Sequence, residues 1–454
     1  MTDAAVPQSS HRVYLIVFST YLYSFTNEAA ISWASPVLPE LRKHNLDANP
    51  LGRRITENEE SWLASLLHLG NMIGLLPYSY LCYKYGRKYT LASLGVLHVI
   101  AFLLFTTKNM TLFYIGRFLN GVAYGSGFIL FPMYISEICQ DNDRGFLVVS
   151  RQIFSSCGIL FSYTAGNYLS LFWFNIILTI FPLIYVISFT ILATESPYFH
   201  VMNQDVAAAR NVIIQLTSVN NQQIDEDVDE MIKAVEMTQT ENLTETLSYK
   251  PVQTAVILVY IMFIFQNLTG YMPMSTYAEI ILKKVGTSAR EGVIVIGILF
   301  LIGSTISTIF IDRKGRKLLL SISLIGVIFV NVIFSLYYFV FDYMRYLPII
   351  CLTLFFLSFN IGLALIPQII SAEILPISVR FKVASTAGFF GYGTAFLLTK
   401  SFLGLYAVIG GGWIMMFFAF CSVVFLILII LFLPETKGRS FRQIQSLLEV
   451  SLQL

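Results

Sequence analysis

The hydrophobic pattern of the chain consists of long apolar runs separated by short polar loops. A helix needs roughly 20 mostly apolar residues to cross a bilayer core. Strands of a membrane barrel would be about 10 residues long and alternate in polarity, which these runs do not. The pattern therefore predicts an all-α membrane protein with twelve transmembrane helices. They are placed near 13–33, 61–82, 89–107, 111–135, 147–169, 172–193, 252–282, 291–311, 318–341, 347–372, 381–406 and 411–433.

The composition agrees with a membrane protein and excludes several soluble classes. Of 454 residues, 56% are hydrophobic and 12% are charged, whereas soluble domains carry about 25% charged residues. The formal net charge of +2 gives no reason to expect nucleic-acid binding. The five cysteines lie far apart, without the spacing of a metal site or a disulfide framework. No set of catalytic residues or phosphate-binding loop is present either, so we expect neither an enzyme nor a bound cofactor or metal.

A long polar segment divides the chain into two halves. We predict an N-terminal six-helix bundle over 1–193, a cytosolic linker over 194–250, a C-terminal six-helix bundle over 251–433 and a cytosolic tail over 434–454. Within the linker, Val228, Met231, Ile232 and Val235 recur at helical spacing and predict an amphipathic helix. Its polar face is interpreted as a solvated surface under the membrane domain, with a regulatory docking site as the alternative.

The two halves repeat each other. The segment Tyr83–Lys88 follows the second span, and the related segment Asp312–Lys317 follows the eighth. Two further landmarks recur in the same order: Glu137 with Arg144 matches Glu373 with Arg380, each seven residues apart, and Glu195 matches Glu435. A duplicated six-helix unit predicts two pseudo-symmetric bundles around a central cavity.

The charged landmarks predict both orientation and a gate. Most lysines and arginines lie in the loops on the side of the termini, which predicts a multi-pass cell-membrane protein with both termini cytoplasmic. Cross-pairing of these charges between the halves would lock the cytosolic side, whereas simple anchoring by positive charges is the alternative. The predicted gate residues are Arg87, Glu137, Arg144, Glu195, Asp312, Arg316, Glu373, Arg380 and Glu435.

Glycine and proline positions predict local packing and breaks. Gly121 and Gly125 in the fourth span indicate a close contact between helices. Pro273, just after Gly270, predicts a break in span seven, and Gly362–Pro367 predicts one in span ten. We interpret these breaks as hinges that close over a site, with tolerated kinks as the alternative.

The motifs of the chain resemble the sugar porter family of the major facilitator superfamily. The resemblance covers nearly the whole chain and follows the order of the family's motifs. The segments that carry it are Gly116–Arg117, Pro132–Tyr134, Glu137, Arg144–Gly145, Gln152, Glu195–Pro197, Asp312–Arg316, Glu373, Arg380 and Pro434–Gly438. Two further segments, Trp33–Pro36 and Glu59–Trp62, are similar to the insect trehalose-transporter-like branch. Tyr83 stands where the family's first loop motif has an acid.

The resemblance implies sugar transport by alternating access and a set of substrate-binding residues. Gln152, Gln266 and Asn267 match family positions that bind sugar, with hydrogen bonds between helices as the alternative. The family's tryptophan in span ten falls on Gln368, and its aromatic position in span eleven falls on Tyr392. Two other family amides fall on Met272 and Gly391, so the pocket is expected to be less polar than a glucose site.

An acidic residue in span one raises the question of proton coupling. Glu28 falls where proton-coupled sugar porters carry Asp, and Arg117 in span four is its predicted partner. An ion pair that forms and breaks could bind and release a proton, whereas a static pair is the alternative.

We therefore expect a facilitative carrier of a mono- or disaccharide such as glucose or trehalose, acting as a monomer in the lipid bilayer. A proton-coupled symporter that uses Glu28 and a low-flux sugar sensor are the alternatives. The short tail after Pro434 weakens the sensor interpretation.

Overall fold

The fold of the chain is helical throughout the part that the structure describes. The computed structural model describes residues 10–43, 49–217, 221–240, 243–284, 289–340, 343–439 and 441–451. Across these ranges the chain forms α-helices and contains no β-strand. The predicted all-α class is confirmed.

The first half contains six long helices and one short one within its described residues. Span one bends at Trp33 because Pro36 has no N–H to donate to the carbonyl of Ser32. The helices are α1 (His11–Ser32), α2 (Ala34–Leu41), α3 (Glu57–Tyr85), α4 (Arg87–Leu104), α5 (Met110–Ile138), α6 (Asp141–Tyr168) and α7 (Leu171–Leu192).

The linker forms a small helical layer of its own. Its described helices are α8 (Pro197–Met202), α9 (Val206–Leu216), α10 (Asn221–Thr240) and α11 (Leu243–Ser248). The predicted amphipathic helix is α10, whose Ile224 and Val228 pack against Ile213 of α9. Met231 and Ile232 are partly buried against the same cluster, so these apolar residues form the inner face of α10.

The second half repeats the six-span plan, but two of its spans are broken. Its described helices are α12 (Lys250–Leu268), α13 (Tyr271–Thr276), α14 (Ala278–Lys284), α15 (Ala289–Lys314), α16 (Arg316–Phe339), α17 (Leu347–Ile361), α18 (Ile366–Ile374), α19 (Ile377–Ile409), α20 (Gly411–Phe432) and α21 (Phe441–Ser451). The break in span seven lies at Gly270, which has a left-handed φ of 94°. In span ten the chain leaves the helix between α17 and α18.

Within the described ranges, ten helices or broken helices are long and apolar enough to cross a membrane. The other two predicted spans are α1, with 22 residues, and α3, with 29 residues. Both are more polar, because they bury groups such as Asn27 and Glu28 of α1 and His68 and Asn71 of α3 inside the protein. Polar side chains in a span are tolerated when they face protein rather than lipid.

The two halves meet along two helix pairs, α3 with α19 and α6 with α15. Small residues allow this close approach: a Cβ on Gly297 of α15 would lie 3.0 Å from the Cα of Leu160 in α6. The pair of bundles has two opposite ends, named here by the helices that each one carries. The "linker face" is the end that carries α8–α11, and the "distal face" is the opposite end, which carries α2 and α14.

Candidate functional site

A narrow cavity lies where the two halves meet. Its solvent-accessible volume is about 40 Å³, small compared with the roughly 300–1,000 Å³ of typical ligand pockets. Both halves contribute to its wall. The lining residues are Glu28, Tyr124, Phe128 and Gln152 from the first half, and Phe263, Gln266, Asn267, Tyr271, Met272, Phe300, Phe359, Ala364, Gly388, Gly391 and Tyr392 from the second.

The three amides predicted from sequence all line this cavity. Gln152 Nε2 donates to Asn360 Oδ1 at 3.3 Å, a hydrogen bond from α6 to α17 that joins the halves. Gln266 Nε2 donates to the carbonyl of Leu363 at 2.6 Å, in the break of span ten. Asn267 Nδ2 donates to the carbonyl of Phe263 in its own helix at 2.9 Å. All three amides therefore donate hydrogen bonds to other protein groups and also line the cavity. For Gln152 and Gln266 these bonds join different helices or segments, which is the alternative to sugar binding.

Gln368, a predicted binding residue, does not line the cavity. The chain leaves the helix at 362–365, so α18 does not continue the cavity-facing side of α17. Ala364, inside the break, lines the wall instead. Gln368 is half-buried, and its Nε2 has no hydrogen-bond partner among the described residues. In this conformation Gln368 adds no amide to the cavity wall, and its role in sugar binding stays a prediction.

Aromatic rings cover two sides of the cavity. Tyr392 makes edge contacts with Tyr124 and Phe128, with centroids 6.3 and 6.4 Å apart. On the other side, Tyr271 stacks on Phe359 at 4.1 Å. Met272 and Gly391 contribute apolar surface at the two positions where the sequence predicted lost amides. The wall thus combines a few polar groups with large flat rings, as expected for a ligand with both hydroxyl and apolar faces.

Glu28 lies at the cavity wall, but its partners differ from the prediction. Its Oε1 accepts a hydrogen bond from the Tyr124 hydroxyl at 3.0 Å. Its electrostatic partner is Arg151, the residue before Gln152. The guanidinium of Arg151 lies 6.0 Å from the centre of the Phe128 ring, which itself lines the cavity.

The predicted pair between Glu28 and Arg117 is not formed. Arg117 is completely buried and donates to the carbonyls of Ala30 at 2.6 Å and Leu63 at 3.0 Å. Its guanidinium also lies 5.3 Å from the centre of the Trp33 ring. Since backbone carbonyls and a ring satisfy the guanidinium, it ties α5 to α1 and α3 rather than pairing with an acid.

At the linker face, the first-half motif forms a buried ion pair. Arg87 donates to Glu137 through Nε and Nη2, both at 3.1 Å, in a bidentate geometry. The Glu195 carboxylate accepts the backbone N–H groups of Arg87 at 2.6 Å and Lys88 at 3.1 Å. These are free N–H groups in the first turn of α4, so Glu195 acts as a cap supplied by the end of α7.

The second half repeats this arrangement. Arg316 Nε donates to Glu373 at 3.2 Å, and Glu435 accepts the backbone N–H groups of Arg316 at 3.0 Å and Lys317 at 3.2 Å. The preceding glycines, Gly86 and Gly315, have φ values of 95° and 93°. A Cβ on either glycine would collide with the carboxylate of the capping glutamate. The sequence repeat therefore corresponds to a repeat in three-dimensional structure.

The remaining predicted gate residues are less fully described. Arg380 Nη2 donates to the carbonyl of Leu375 at 3.1 Å, within the second half. Arg144 and Asp312 lie in α6 and α15, but their side chains are outside the described part of the structure. The described ion pairs of this set join residues of the same half. The described ion pairs of Arg87 and Arg316 in this conformation therefore lie within each half, and cross-pairing between the halves stays a prediction.

The sequence did not predict the contacts that close the distal face. Lys400 of α19 donates to Ser61 Oγ at 2.7 Å and Asn58 Oδ1 at 3.1 Å, and its ammonium lies 4.1 Å from the centre of the Trp62 ring. All three partners are at the start of α3, so this cation joins the halves. A lysine inside an apolar span is the signal that could have found it.

Two further contacts close the distal face. The backbone N–H of Glu279 in α14 donates to Ser35 Oγ in α2 at 3.3 Å. Arg290, in the first turn of α15, lies 3.6 Å from Glu40 of α2. Since α2 belongs to the first half and α14 and α15 to the second, the halves are held together here by polar groups.

The sequence matches the family model described as "Sugar (and other) transporter" over residues 15–448. The chain belongs to this sugar porter family. A similar curated protein, the Facilitated trehalose transporter Tret1 of Bombyx mori, is 32% identical over 409 residues, covering 86% of this chain and 79% of the relative. The protein of the same name from Apis mellifera ligustica is 28% identical over 432 residues, covering 91% and 84%.

Solved structures place this sugar porter in the major facilitator fold. The MFS proton:xylose symporter XylE bound to 6-bromo-6-deoxy-D-glucose superimposes with a TM-score of 0.79 at 17% identity, covering 96% of this chain and 98% of that one. The partially occluded inward open conformation of XylE from E. coli gives 0.77 at 18% identity, covering 95% and 100%. The predicted fold of two six-helix bundles is confirmed. The sugar porter is a multi-pass membrane protein and not an enzyme.

Three residues of this sugar porter's cavity region were missed in the sequence. Asn360 binds Gln152 across the halves and also donates to the Phe300 carbonyl at 2.5 Å. Arg151 is the electrostatic partner of Glu28. Tyr124 fixes one oxygen of that carboxylate. Asn360 could have been found as a polar residue in an apolar run, but the other two become functional candidates only through their neighbours in space.

Proposed function

We propose that this sugar porter carries a mono- or disaccharide, such as glucose or trehalose, down its concentration gradient by alternating access. The cavity between the halves carries this proposal. Amide groups from both bundles, Gln152 and Gln266, reach the same small space, and aromatic rings flank it. Relatives of similar length named Facilitated trehalose transporter Tret1 support a disaccharide as substrate.

The transport cycle follows from the contacts at the two faces. In this conformation polar contacts across the halves close the distal face, and the described ion pairs of Arg87 and Arg316 at the linker face lie within each half. Because the cavity is narrow, the halves must separate to admit a sugar. We propose that the linker-face charges re-pair between the halves when the distal face opens. The linker face and both termini would then be cytoplasmic, in the cell membrane.

Uptake of a panel of sugars tests the proposed substrate class. The chain should be expressed in cells that lack their own sugar carriers, and uptake of labelled trehalose, glucose and fructose should be measured against sugar concentration. A carrier predicts saturable uptake of at least one sugar that an excess of the unlabelled sugar inhibits. No uptake of any sugar, with the protein at the cell surface, would favour the low-flux sensor instead.

Substitutions at the linker face test the proposed gate. Glu137→Gln removes the carboxylate that pairs with the buried Arg87 guanidinium in this conformation. It also removes the charge that we propose re-pairs between the halves when the distal face opens. Glu373→Gln is the matched change in the second half. We expect each to slow maximal transport about tenfold with normal surface expression. A tenfold change corresponds to about 1.4 kcal/mol, which is less than the cost of removing one partner of a fully buried pair and allows for the partial burial of these charges.

A surface ion pair provides the control for the gate. Arg210 and Asp225 pair at 2.8 Å in the linker, where both side chains are largely exposed. Asp225→Asn should leave transport unchanged, because exposed pairs contribute only about 0–1 kcal/mol. Normal rates in both the Glu137 and the Glu373 variants would refute the gate and leave these charges as anchors.

Proton-coupled transport is a second candidate, and the position of Glu28 at the cavity wall favours it. A buried carboxylate whose electrostatic partner is Arg151 could exchange a proton as the halves move. Proteoliposomes with an imposed proton gradient decide between the candidates. Coupling predicts that sugar accumulates above its external concentration and that Glu28→Gln abolishes this accumulation. Facilitative transport predicts that the internal concentration never exceeds the external one.

A further inference from the structure

An apolar groove lies between α19 and α20, separate from the central cavity. Its volume is about 210 Å³, and its lining residues are Leu398, Ser401, Phe402, Leu405 and Ile409 of α19 and Ile414, Phe417 and Phe418 of α20. The Ser401 hydroxyl is already bonded to its own helix, since it donates to the Leu397 carbonyl at 2.7 Å. A bound water needs two to four polar partners, which this lining does not supply, whereas an apolar cavity of roughly 150 Å³ binds small hydrocarbons.

The groove opens toward the bilayer. Three of its lining residues are buried and form the floor, namely Phe402, Ile414 and Phe418. Three others are nearly half exposed and form the rim, namely Leu405, Ile409 and Phe417. Both helices are membrane-spanning candidates, and the turn at Gly410 joins them at the distal face, beside the exposed Trp413. Since exposed tryptophans are typical of the membrane–water interface, the groove begins just inside the distal leaflet.

The dimensions of the groove fit one acyl chain of a lipid. Leu398 and Ile409 are eleven residues apart in α19, which is roughly 16 Å along a helix. This length is about that of one leaflet of the hydrocarbon core, whose two leaflets together measure roughly 30 Å. At the interface end the lining residues are Ile409 and Ile414, so the hydroxyl of a sterol would find no polar partner among them. A phospholipid avoids this cost because its head group stays outside the groove.

The floor of the groove packs on the broken part of span seven. Just before α13, a Cβ on Gly270 would collide with the ring of Phe418. Just after α13, the ring of Tyr277 stacks on Phe402 with the ring centroids 5.4 Å apart. Two residues of α13 itself line the central cavity. The groove and the central cavity are therefore separated by α13 and the two rings of the floor.

We propose that this groove binds an acyl chain of a phospholipid in the distal leaflet and that the bound chain holds α13 in its present position. The chain fills the space behind the Phe402 and Phe418 rings, so these rings keep their contacts on both sides of α13. Helix α13 leads into α14, where the backbone N–H of Glu279 donates to Ser35 of the first half. The bound chain therefore favours the conformation in which the distal face is closed.

Photocrosslinking of the purified full chain tests the binding site. The chain is placed in phosphatidylcholine nanodiscs with a trace of phosphatidylcholine that carries a diazirine on one acyl chain, and crosslinked residues are mapped by mass spectrometry. Crosslinks should concentrate in the groove. Leu405→Trp should fill the groove from its rim and lower these crosslinks at least about fivefold, because its ring takes the packing contacts of the chain. Leu397→Trp is the matched control, since Leu397 is an exposed residue of α19 outside the groove, and it should leave them unchanged.

The same map gives the results that would overturn the site. Crosslinks spread evenly over the lipid-facing surface would overturn it, and so would equal labelling of the groove in the wild type and Leu405→Trp. A photoactivatable cholesterol tested in parallel should leave the groove unlabelled. Labelling of the groove by the sterol in place of the phospholipid would overturn the assignment to an acyl chain.

The rate at which the distal face opens tests the effect on α13. Ser35 is buried at the contact with α14, so Ser35→Cys should react with a membrane-impermeant maleimide only when the distal face opens. The wild type gives the background from the native cysteines. Reaction should be about fivefold slower in dioleoyl than in diphytanoyl phosphatidylcholine, because the methyl branches of phytanoyl chains keep them from packing in the groove. Added to Ser35→Cys, Leu405→Trp should make the reaction slow in both lipids, whereas Leu397→Trp should keep the difference.

Equal reaction rates of Ser35→Cys in the two lipids would overturn the effect on closure, as would a lipid difference that persists with Leu405→Trp. Should Leu405→Trp not fold, the crosslink map of the wild type and the lipid comparison on Ser35→Cys still decide the outcome. These measurements use no sugar. A chain that binds lipid in the groove but carries no sugar would therefore leave this inference standing while the proposed function fails.

Discussion

Replacing Gly121 with valine should prevent the first bundle from assembling. A Cβ at this position would collide with the carbonyl oxygen of Leu67, and one on the facing Gly70 would collide with the carbonyl oxygen of Phe118. These contacts are with backbone, so α3 and α5 would have to move apart. Overpacking costs typically 1–3 kcal/mol where side chains can yield, so we expect a loss of about 3 kcal/mol or more here.

The measurement is the yield of monodisperse protein in detergent together with its thermal midpoint. Gly404→Val is the matched control, since Gly404 is an exposed residue of α19 with no atom within 4 Å of an added Cβ. The control should behave as the wild type does. A Gly121→Val protein of normal yield and midpoint would show that α3 and α5 are not packed as closely as described.

Crosslinks at either face should stop transport completely. At the distal face, Ser35→Cys with Glu279→Cys joins α2 to α14, where Ser35 Oγ lies 3.3 Å from the Glu279 nitrogen. Nearer the linker face, Ser79→Cys with Ser385→Cys joins α3 to α19, where the two hydroxyl oxygens are 3.3 Å apart. The Ser79–Ser385 contact brings two side chains together, as a disulfide requires, and the Ser35–Glu279 contact brings α2 against the backbone of α14. An alternating-access carrier must open each contact once per cycle, so each lock should abolish sugar uptake.

Oxidation and reduction provide the controls for the crosslinks. The single-cysteine variants should transport normally under oxidising conditions, which also controls for the native cysteines. Reduction of each double variant should restore uptake. An oxidised, fully crosslinked protein that still carries sugar through either lock would contradict movement of the halves against each other.

Much of the fold could be predicted because the bilayer imposes a simple rule on sequence. Apolar length gives the spans, and Gly121 is confirmed as a site of close helix contact. The repeat was also readable from its matching motifs. The structure gives their physical reason: Gly86 and Gly315 have a positive φ, and the glutamate that follows the last span of each half caps a helix of the same half. These features are visible in the sequence because apolar length, close helix packing and a positive φ each restrict which residue types can occur.

The parts of the site that the sequence did not reveal depend on register and on distant partners. Gln368 lies after a break that changes which side of the helix faces the cavity. Opposite charge alone suggests that Arg117 pairs with Glu28, but the carbonyls of Leu63 and Ala30 accept the hydrogen bonds of its guanidinium instead. The hydrogen-bond partner of Glu28 is Tyr124, and its charged neighbour is Arg151; both lie about a hundred residues or more away in the chain, and Arg151 comes near because α1 packs against α6.

Counterflow in proteoliposomes tests the central claim most directly, namely that a sugar crosses in the cavity as the two bundles alternate. Vesicles containing the purified chain are loaded with unlabelled trehalose or glucose and diluted into a trace of the labelled sugar. Alternating access predicts that labelled sugar transiently accumulates inside and that preloading accelerates its entry. A time course that is the same with and without preloading, and that rises linearly with sugar concentration, would contradict the account.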